Sequence, residues 1–203
     1  MARKPKIKLT HPISLKLFRK IERAVRKAGY GAAIDWSENI EPPETAELFA
    51  AEAIYVICNS GMSNKVAVPI FEQCMHALRE GRSAHTAYGH TGKASAIDTI
   101  WKKRRRLYRA FSKAEDLIAF CAALPWLGEV TKFHLAKNLG ADVAKPDVHL
   151  NRLAAAEGVD AQALCDRLAM VTGYRAATID LILWRACADG IIHSRSATIS
   201  SGS

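Results

Sequence analysis

No stretch of this sequence is both long and uncharged: its hydrophobic residues, 49% of 203, are interrupted too often for a membrane-spanning helix of ordinary length. The opening MARKPKIKLTHP has cations but no apolar core, so no secretory leader is expected and the expected location is the cytoplasm. Alternating apolar and polar runs are almost absent, which argues against half-buried strands and makes all-α the expected class. The cysteines, Cys58, Cys74, Cys121, Cys165 and Cys187, are odd in number, widely spaced and set among apolar residues, which excludes a disulfide framework and suits reduced core positions. The seven histidines lack metal-ligand spacing; His85 and His90 have no partner at i+3 or i+4, so no metal is expected. There is no internal repeat.

What is present is charge and helical periodicity. A formal charge of +9 favours a polyanionic partner, because Lys and Arg beside phosphates release counterions. Nucleic acid is the simplest such partner and a membrane surface is not expected. Ile13, Leu17, Ile21, Ala24, Val25 and Ala28 make one helix face that ends at Gly29. A Pro-containing link at Glu41 to Glu44 precedes a helix through about Cys58, and another runs from Ser63 toward Leu78. After a loop, a helix from Lys93 carries Ile97, Ile100 and Trp101 on one side and the run KKRRR at 102–106. That run reads as a solvated face or as sequence-independent affinity opposite a DNA groove. Ser112 and Glu115 have capping-box spacing for a helix ending near Ala123, Asp160 caps another, and Gly173 separates it from a last helix reaching about Ile192.

The stretch LPWLGEVTKFHLAKNLGADVAKPDVHLNRLA, residues 124–154, is the most informative. Gly128 can take positive φ and let backbone N–H groups point outward at the head of the following helix, where a phosphate is held well. Seventeen residues past Val130 comes Asp147, after Pro146 and before the apolar Val148, Leu150 and Leu153. That is an N-cap position, and helix-start amides and the dipole favour a charged carboxylate there. A carboxylate so placed either only caps the helix or has a cation to stabilise.

Residues 124–154 resemble the helix-hairpin-helix Gly/Pro-Asp superfamily of DNA glycosylases, which includes endonuclease III and the adenine and 8-oxoguanine glycosylases. LPWLGEVT stands where that family has L-P-G-[IV]-G-x-[KSW]-T, and PDVHLNRLA where it has V-D-[TV]-H-[IVM] and the next helix. FAAEAIYVICNSGMSNKVAVPIF at 49–71 is similar to its early helix, DNA-intruding loop and next helix. YGHTGKASAIDTI at 88–100 is similar to its G-x-x-x-x-K-A-x-x-I helix start, and GYRAATIDLILWRACADGI to its closing helix. The resemblance covers most of 45–192. It implies two helical lobes, 46–144 carrying the hairpin and 10–45 plus 145–193 forming the second; the chain ends, 1–9 and 194–203, are expected to be loose tails on their position alone. A cleft between the lobes would receive a base extruded from duplex DNA.

The implied activity is hydrolysis of the bond between a damaged or modified base and deoxyribose, by a monomer that needs no cofactor and associates with the nucleoid. Asp147 would stabilise the sugar cation. Bifunctional members place a Lys where this chain has Val130, so a monofunctional enzyme is implied. Lys145, two before Asp147, is the stronger substitute nucleophile; Lys132 is roughly 200° around the helix from Val130. Both lysines also suit phosphate contacts or solvated surface. Asn59, Ser60, Gly61 and Met62 lie at the intruding loop, with Asn59 the best plug, and Lys93 belongs to the same DNA-facing set. Leu127, Gly128, Val130 and Thr131 would hold phosphate through backbone amides. His134 would contact the base or the Asp, or be a partly buried structural His. Trp126 replaces the first hairpin Gly and would stack near DNA or seal the core; Trp184, like Trp101, Phe133 and Tyr174, would line a base pocket or pack in the core. The iron–sulfur cluster of some relatives is not expected, since Cys165 and Cys187 stand alone where four cysteines would be needed. Two alternatives remain open: a transferase on the same fold that attaches amines to modified thymines, as some phage enzymes do, and a non-catalytic DNA-binding module.

Overall fold

The computed structural model describes residues 6–194. Their regular secondary structure is helical, with no strand among the described residues. The chain forms two compact units: Met1–Ile40 with Asp142–Ser203, and Glu41–Ala141.

The first unit contains α1 (Leu15–Val25) and α2 (Gly31–Glu38), then α8 (Val148–Ala155), α9 (Ala161–Thr172) and α10 (Ala176–Ala188). Ser14 starts α1 by accepting the Leu17 amide at 3.2 Å, and Asp160 starts α9 by accepting that of Ala163 at 2.8 Å. Gly173, at φ 79°, ends α9 in the left-handed conformation that closes helices cheaply. Gly29, at φ 99°, breaks the helical path after α1, and the chain then re-enters α2, a helix not expected from the sequence. Helix α10 packs against α1, α2, α8 and α9. Their apolar faces form one core of Phe18, Ile21, Ile34, Leu150, Leu153, Leu164, Ile179, Ile182 and Leu183, among others.

Residues 1–9 and 194–203 were expected as loose tails. Positions 1–5 and 195–203 lie outside the described residues, but Ile7 is buried in this core and its amide donates to the Ile191 carbonyl at 2.9 Å. Ser194 is buried as well. The last helix stops at Ala188, and Ile191 and Ile192 enter the core from the following turn.

The second unit is built around α3 (Ala46–Asn59), which packs on α4 (Asn64–Arg79), α5 (Thr91–Phe111) and α7 (Thr131–Asn138); the short α6 (Leu117–Ala122) packs on α7. Phe49 is the hub of an aromatic cluster with Tyr108, Phe111 and Phe120, its ring stacked on Phe111 at 5.4 Å between centroids. The Ser112/Glu115 capping box is not formed. Ser112 closes α5 and donates to Tyr108, while Asp116 caps α6 through the Ile118 and Ala119 amides, both at 2.9 Å. An Asp next to the helix outcompetes a Ser four residues earlier because its carboxylate reaches two amides at once.

Candidate active site and nucleic-acid interface

In the first unit, Asp147 occupies the N-cap of α8. Its Oδ1 accepts the His149 amide at 2.9 Å and the Leu150 amide at 3.0 Å, which immobilises one carboxylate oxygen and leaves the other turned elsewhere. That orientation is set by Pro146: the Asp147 amide donates to the Lys145 carbonyl at 2.8 Å, a three-residue turn that suits the fixed φ of proline. The turn brings both flanking side chains to one side, so the Lys145 ammonium lies 3.8 Å from Asp147 Oδ2. Lys145 is anchored through its own amide, which donates to the buried Asp180 carboxylate at 2.9 Å.

Trp184 on α10 completes this group, with Lys145 Nζ 5.3 Å and the Arg185 guanidinium 4.6 Å from its rings. Cys187, one turn further on, has its thiol pushed up to about 12, by burial first and by the charge of Asp147 second. It therefore stays a neutral thiol beside the carboxylate. Lys145, Asp147 and Trp184 are thus neighbours within one unit.

The residues 59–62 and the 124–131 turn belong to the second unit. Asn59 is the last residue of α3, and its amide group donates to Tyr55 Oη at 3.1 Å and to Asn64 Oδ1 at 3.2 Å, while Tyr55 donates to Asn64 at 2.6 Å. The expected plug is therefore held between the end of α3 and the start of α4; Gly61, at φ 75°, makes the turn between these helices and is exposed. Tyr55 also meets the His134 ring edge-on at 6.3 Å, so His134 stands near Asn59. Tyr55 and Asn64 were not singled out from sequence, although Tyr55 precedes Asn59 by one helical turn.

Lys93 departs furthest from its expected role. It is 5% exposed, and its ammonium donates to the carbonyls of Ser60 at 2.5 Å and Cys58 at 3.4 Å. It caps the C-terminal end of α3 from inside, where orphan carbonyls and the helix dipole attract a cation, and so cannot reach a DNA phosphate. Burial lowers its pKa, partly offset by the neighbouring Cys58.

The turn between α6 and α7 also differs from expectation. Gly128 is not among the residues with positive φ; Trp126 is, at φ 67°. The left-handed residue is therefore a tryptophan, at the position where the resembled pattern L-P-G-[IV]-G has its first glycine. Its indole is accommodated because residue 92 has no side chain: a Cβ on Gly92 would lie 2.4 Å from Trp126 Cζ3. The ring also meets His90 edge-on at 5.1 Å and stays 45% exposed. Neither Gly92 nor His90 was legible as a partner.

Of the four amides expected to hold phosphate, two are already used. Leu127 is buried and its amide donates to Leu124 at 3.4 Å, and the Gly128 amide donates to Thr131 Oγ1 at 2.8 Å. Those of Val130 and Thr131, at the start of α7, have no partner among the described residues, as a helix N-terminus leaves them. Lys132 folds back to Glu129 Oε2 at 2.6 Å and lies over the Phe133 ring.

No family model, curated protein or solved structure matches this chain. Among the described residues, no group of three or more His, Cys, Asp or Glu is arranged to hold a metal ion, and no helix is long and apolar enough to cross a membrane.

Proposed function

We propose that this protein is a DNA N-glycosylase that flips a damaged or modified base out of duplex DNA and hydrolyses its glycosidic bond. The observation that carries the reading is Asp147, with one carboxylate oxygen tied by two amides and the other 3.8 Å from Lys145. Electrostatic stabilisation is strongest when the stabilising group needs no reorganisation as charge develops. A carboxylate oxygen held still by the head of a helix meets that condition.

In the reaction, the C1′–N bond breaks heterolytically, the electron pair leaves with the base, and the sugar becomes an oxocarbenium-like cation. The Asp147 carboxylate stabilises that cation. Water adds to C1′ and gives its proton to the carboxylate, which passes it to the departed base nitrogen, leaving an abasic sugar, the free base and the Asp147 carboxylate as it began. Lys145 stays paired with Asp147 and orients it, and Trp184 offers an aromatic face to the extruded base. In the second unit, α6, the 123–130 turn and α7 act as the helix-hairpin-helix, gripping a phosphate with the Val130 and Thr131 amides. The loop 60–62 enters the base stack.

The test is a panel of duplex oligonucleotides carrying single modified bases, incubated with the protein and with Asp147→Asn, the products resolved by mass before and after alkali. Release of a base by the unaltered protein alone, with scission only after alkali, supports the proposal. Scission without alkali reassigns Lys145 as an amine nucleophile that forms a Schiff base. No base release on any substrate refutes the proposal, and a gain in mass on a modified thymine with an added amine points to transferase chemistry.

A further inference from the structure

Helix α5 carries Lys93, Lys102, Lys103, Arg104, Arg105, Arg106 and Arg109 against a single acid, Asp98. Asp98 is already engaged, accepting from the Ser83 hydroxyl and the Ala84 amide. At 100° per residue, Lys102, Arg105, Arg106 and Arg109 fall within an arc of about 100°, diametrically opposite the buried positions Lys93, Ile97, Ile100 and Phe111. All four are exposed. Arg104, on another azimuth, is spent locally, stacked 4.3 Å over Trp101 and donating to its carbonyl.

Ion pairs in this unit join Arg79 to Glu47, Arg82 and His76 to Glu80, and Lys132 to Glu129. Among the described residues, none reaches the four stripe cations. Like charges at i+3 and i+4 repel, and the stripe contains such pairs at 102–105, 102–106, 105–109 and 106–109. The helix dipole explains only the cation in the last turn, Arg109, because its effect falls off within one turn. A stripe that starts two turns earlier, with no anion beside it, is complementary to an external polyanion.

The chemistry of the face selects among polyanions. No large hydrophobic residue of α5 is exposed, so nothing on it would insert into a lipid surface. Three of the four residues are arginines, whose planar forks match phosphate oxygens. The stripe runs about 10 Å along the helix, a length over which duplex DNA presents about six phosphates. It begins about 15 Å along α5 from Gly92, where the Trp126 ring is seated.

We propose that Lys102, Arg105, Arg106 and Arg109 form a second nucleic-acid contact on this protein, a sequence-independent grip on the phosphate backbone of duplex DNA, separate from the 124–131 turn. It does not depend on base excision, since phosphate contacts act on unmodified DNA.

The experiment measures affinity for an unmodified duplex oligonucleotide by anisotropy across a potassium chloride series. It compares the unaltered protein with Lys102→Gln/Arg105→Gln/Arg106→Gln/Arg109→Gln, in which Gln keeps the helix propensity and circular dichroism checks the fold. Each phosphate no longer neutralised by the protein lowers the log–log salt slope by about 0.9, so a fall of about 3 to 4 is expected. Base release measured on saturating modified duplex stays unchanged if the proposed chemistry at Asp147 holds, and the binding result stands whether or not it does. A folded variant whose slope is unchanged overturns the proposal. So does a variant that binds duplex normally but has lost binding to phosphatidylglycerol vesicles, an outcome that assigns the face to a membrane.

Discussion

Trp126 and Gly92 form a pair whose coupling can be measured. A tryptophan in the left-handed region, here at φ 67°, carries about 1–2 kcal/mol of backbone strain. It persists because the ring is fitted over Gly92 and against His90, and an edge-to-face aromatic contact contributes about 0.5–1.5 kcal/mol beyond area burial. A Cβ at residue 92 would stand 2.4 and 2.7 Å from two ring carbons, so the indole must shift outward and leave both neighbours. Gly92→Ala alone gains at most about 1 kcal/mol of helix propensity and loses about 1–3 kcal/mol by overpacking; the net change is destabilising, by up to about 2 kcal/mol. In the Trp126→Gly background the obstruction is gone and the same substitution stabilises by about 0.5–1 kcal/mol. Urea unfolding followed by circular dichroism at 222 nm gives all four corners of the cycle without depending on tryptophan fluorescence. A coupling of about 1–3 kcal/mol is expected. Equal effects of Gly92→Ala in both backgrounds, within about 0.4 kcal/mol, would refute the seating of the ring and with it this account of the turn.

Asp147→Asn keeps the cap, since Asn is as good an N-cap as Asp, whereas Asp147→Ala costs about 1 kcal/mol; near-equal urea midpoints for Asn and the unaltered protein, with loss of base release, separate charge from capping. Lys93→Met leaves the Ser60 and Cys58 carbonyls without their donor and should destabilise by about 1–3 kcal/mol; an unchanged midpoint would mean the ammonium contributes nothing net to the α3 end. Burial raises the pKa of the Glu52 carboxyl, with the Asn138 hydrogen bond opposing it only in part. Above its folded pKa the buried charge is a burden on the native state, and protonation relieves that burden as pH falls, fully so below the unfolded value near 4.5. Glu52→Gln should therefore raise stability most at neutral pH and progressively less toward pH 4.5. Thermal melts showing an advantage that grows on acidification would reverse the assignment.

The helix starts were legible where a cap and its amides lie within three residues. Asp160 and Asp147 fall at the expected N-caps, and Gly173 at the expected stop. Ser112 misled because its spacing to Glu115 is shared by many non-capping pairs, and Asp116 stood closer to the helix. The placement of Lys145 beside Asp147 was foreseeable in outline, since residues two apart share a side in an extended or γ-turned segment. Its anchoring by Asp180, thirty-five positions away, was not. Lys93 looked like a surface cation because lysines usually are, and only the packing of α5 against α3 turned it inward.

Sequence alone determined the helical class, the helix boundaries marked by capping residues, and the concentration of positive charge on α5, because these follow from local hydrogen bonding, periodicity and composition. Tertiary structure alone decided where the polar groups are spent. The Gly128 amide goes to Thr131, Asn59 to Tyr55 and Asn64, Lys93 to the α3 carbonyls, and the left-handed conformation to Trp126 rather than Gly128. The last two depend on a neighbour brought close by folding, and the first two on which nearby partner the fold leaves in reach. In every case a crowded group takes the partner that packing supplies, which no residue type announces in advance.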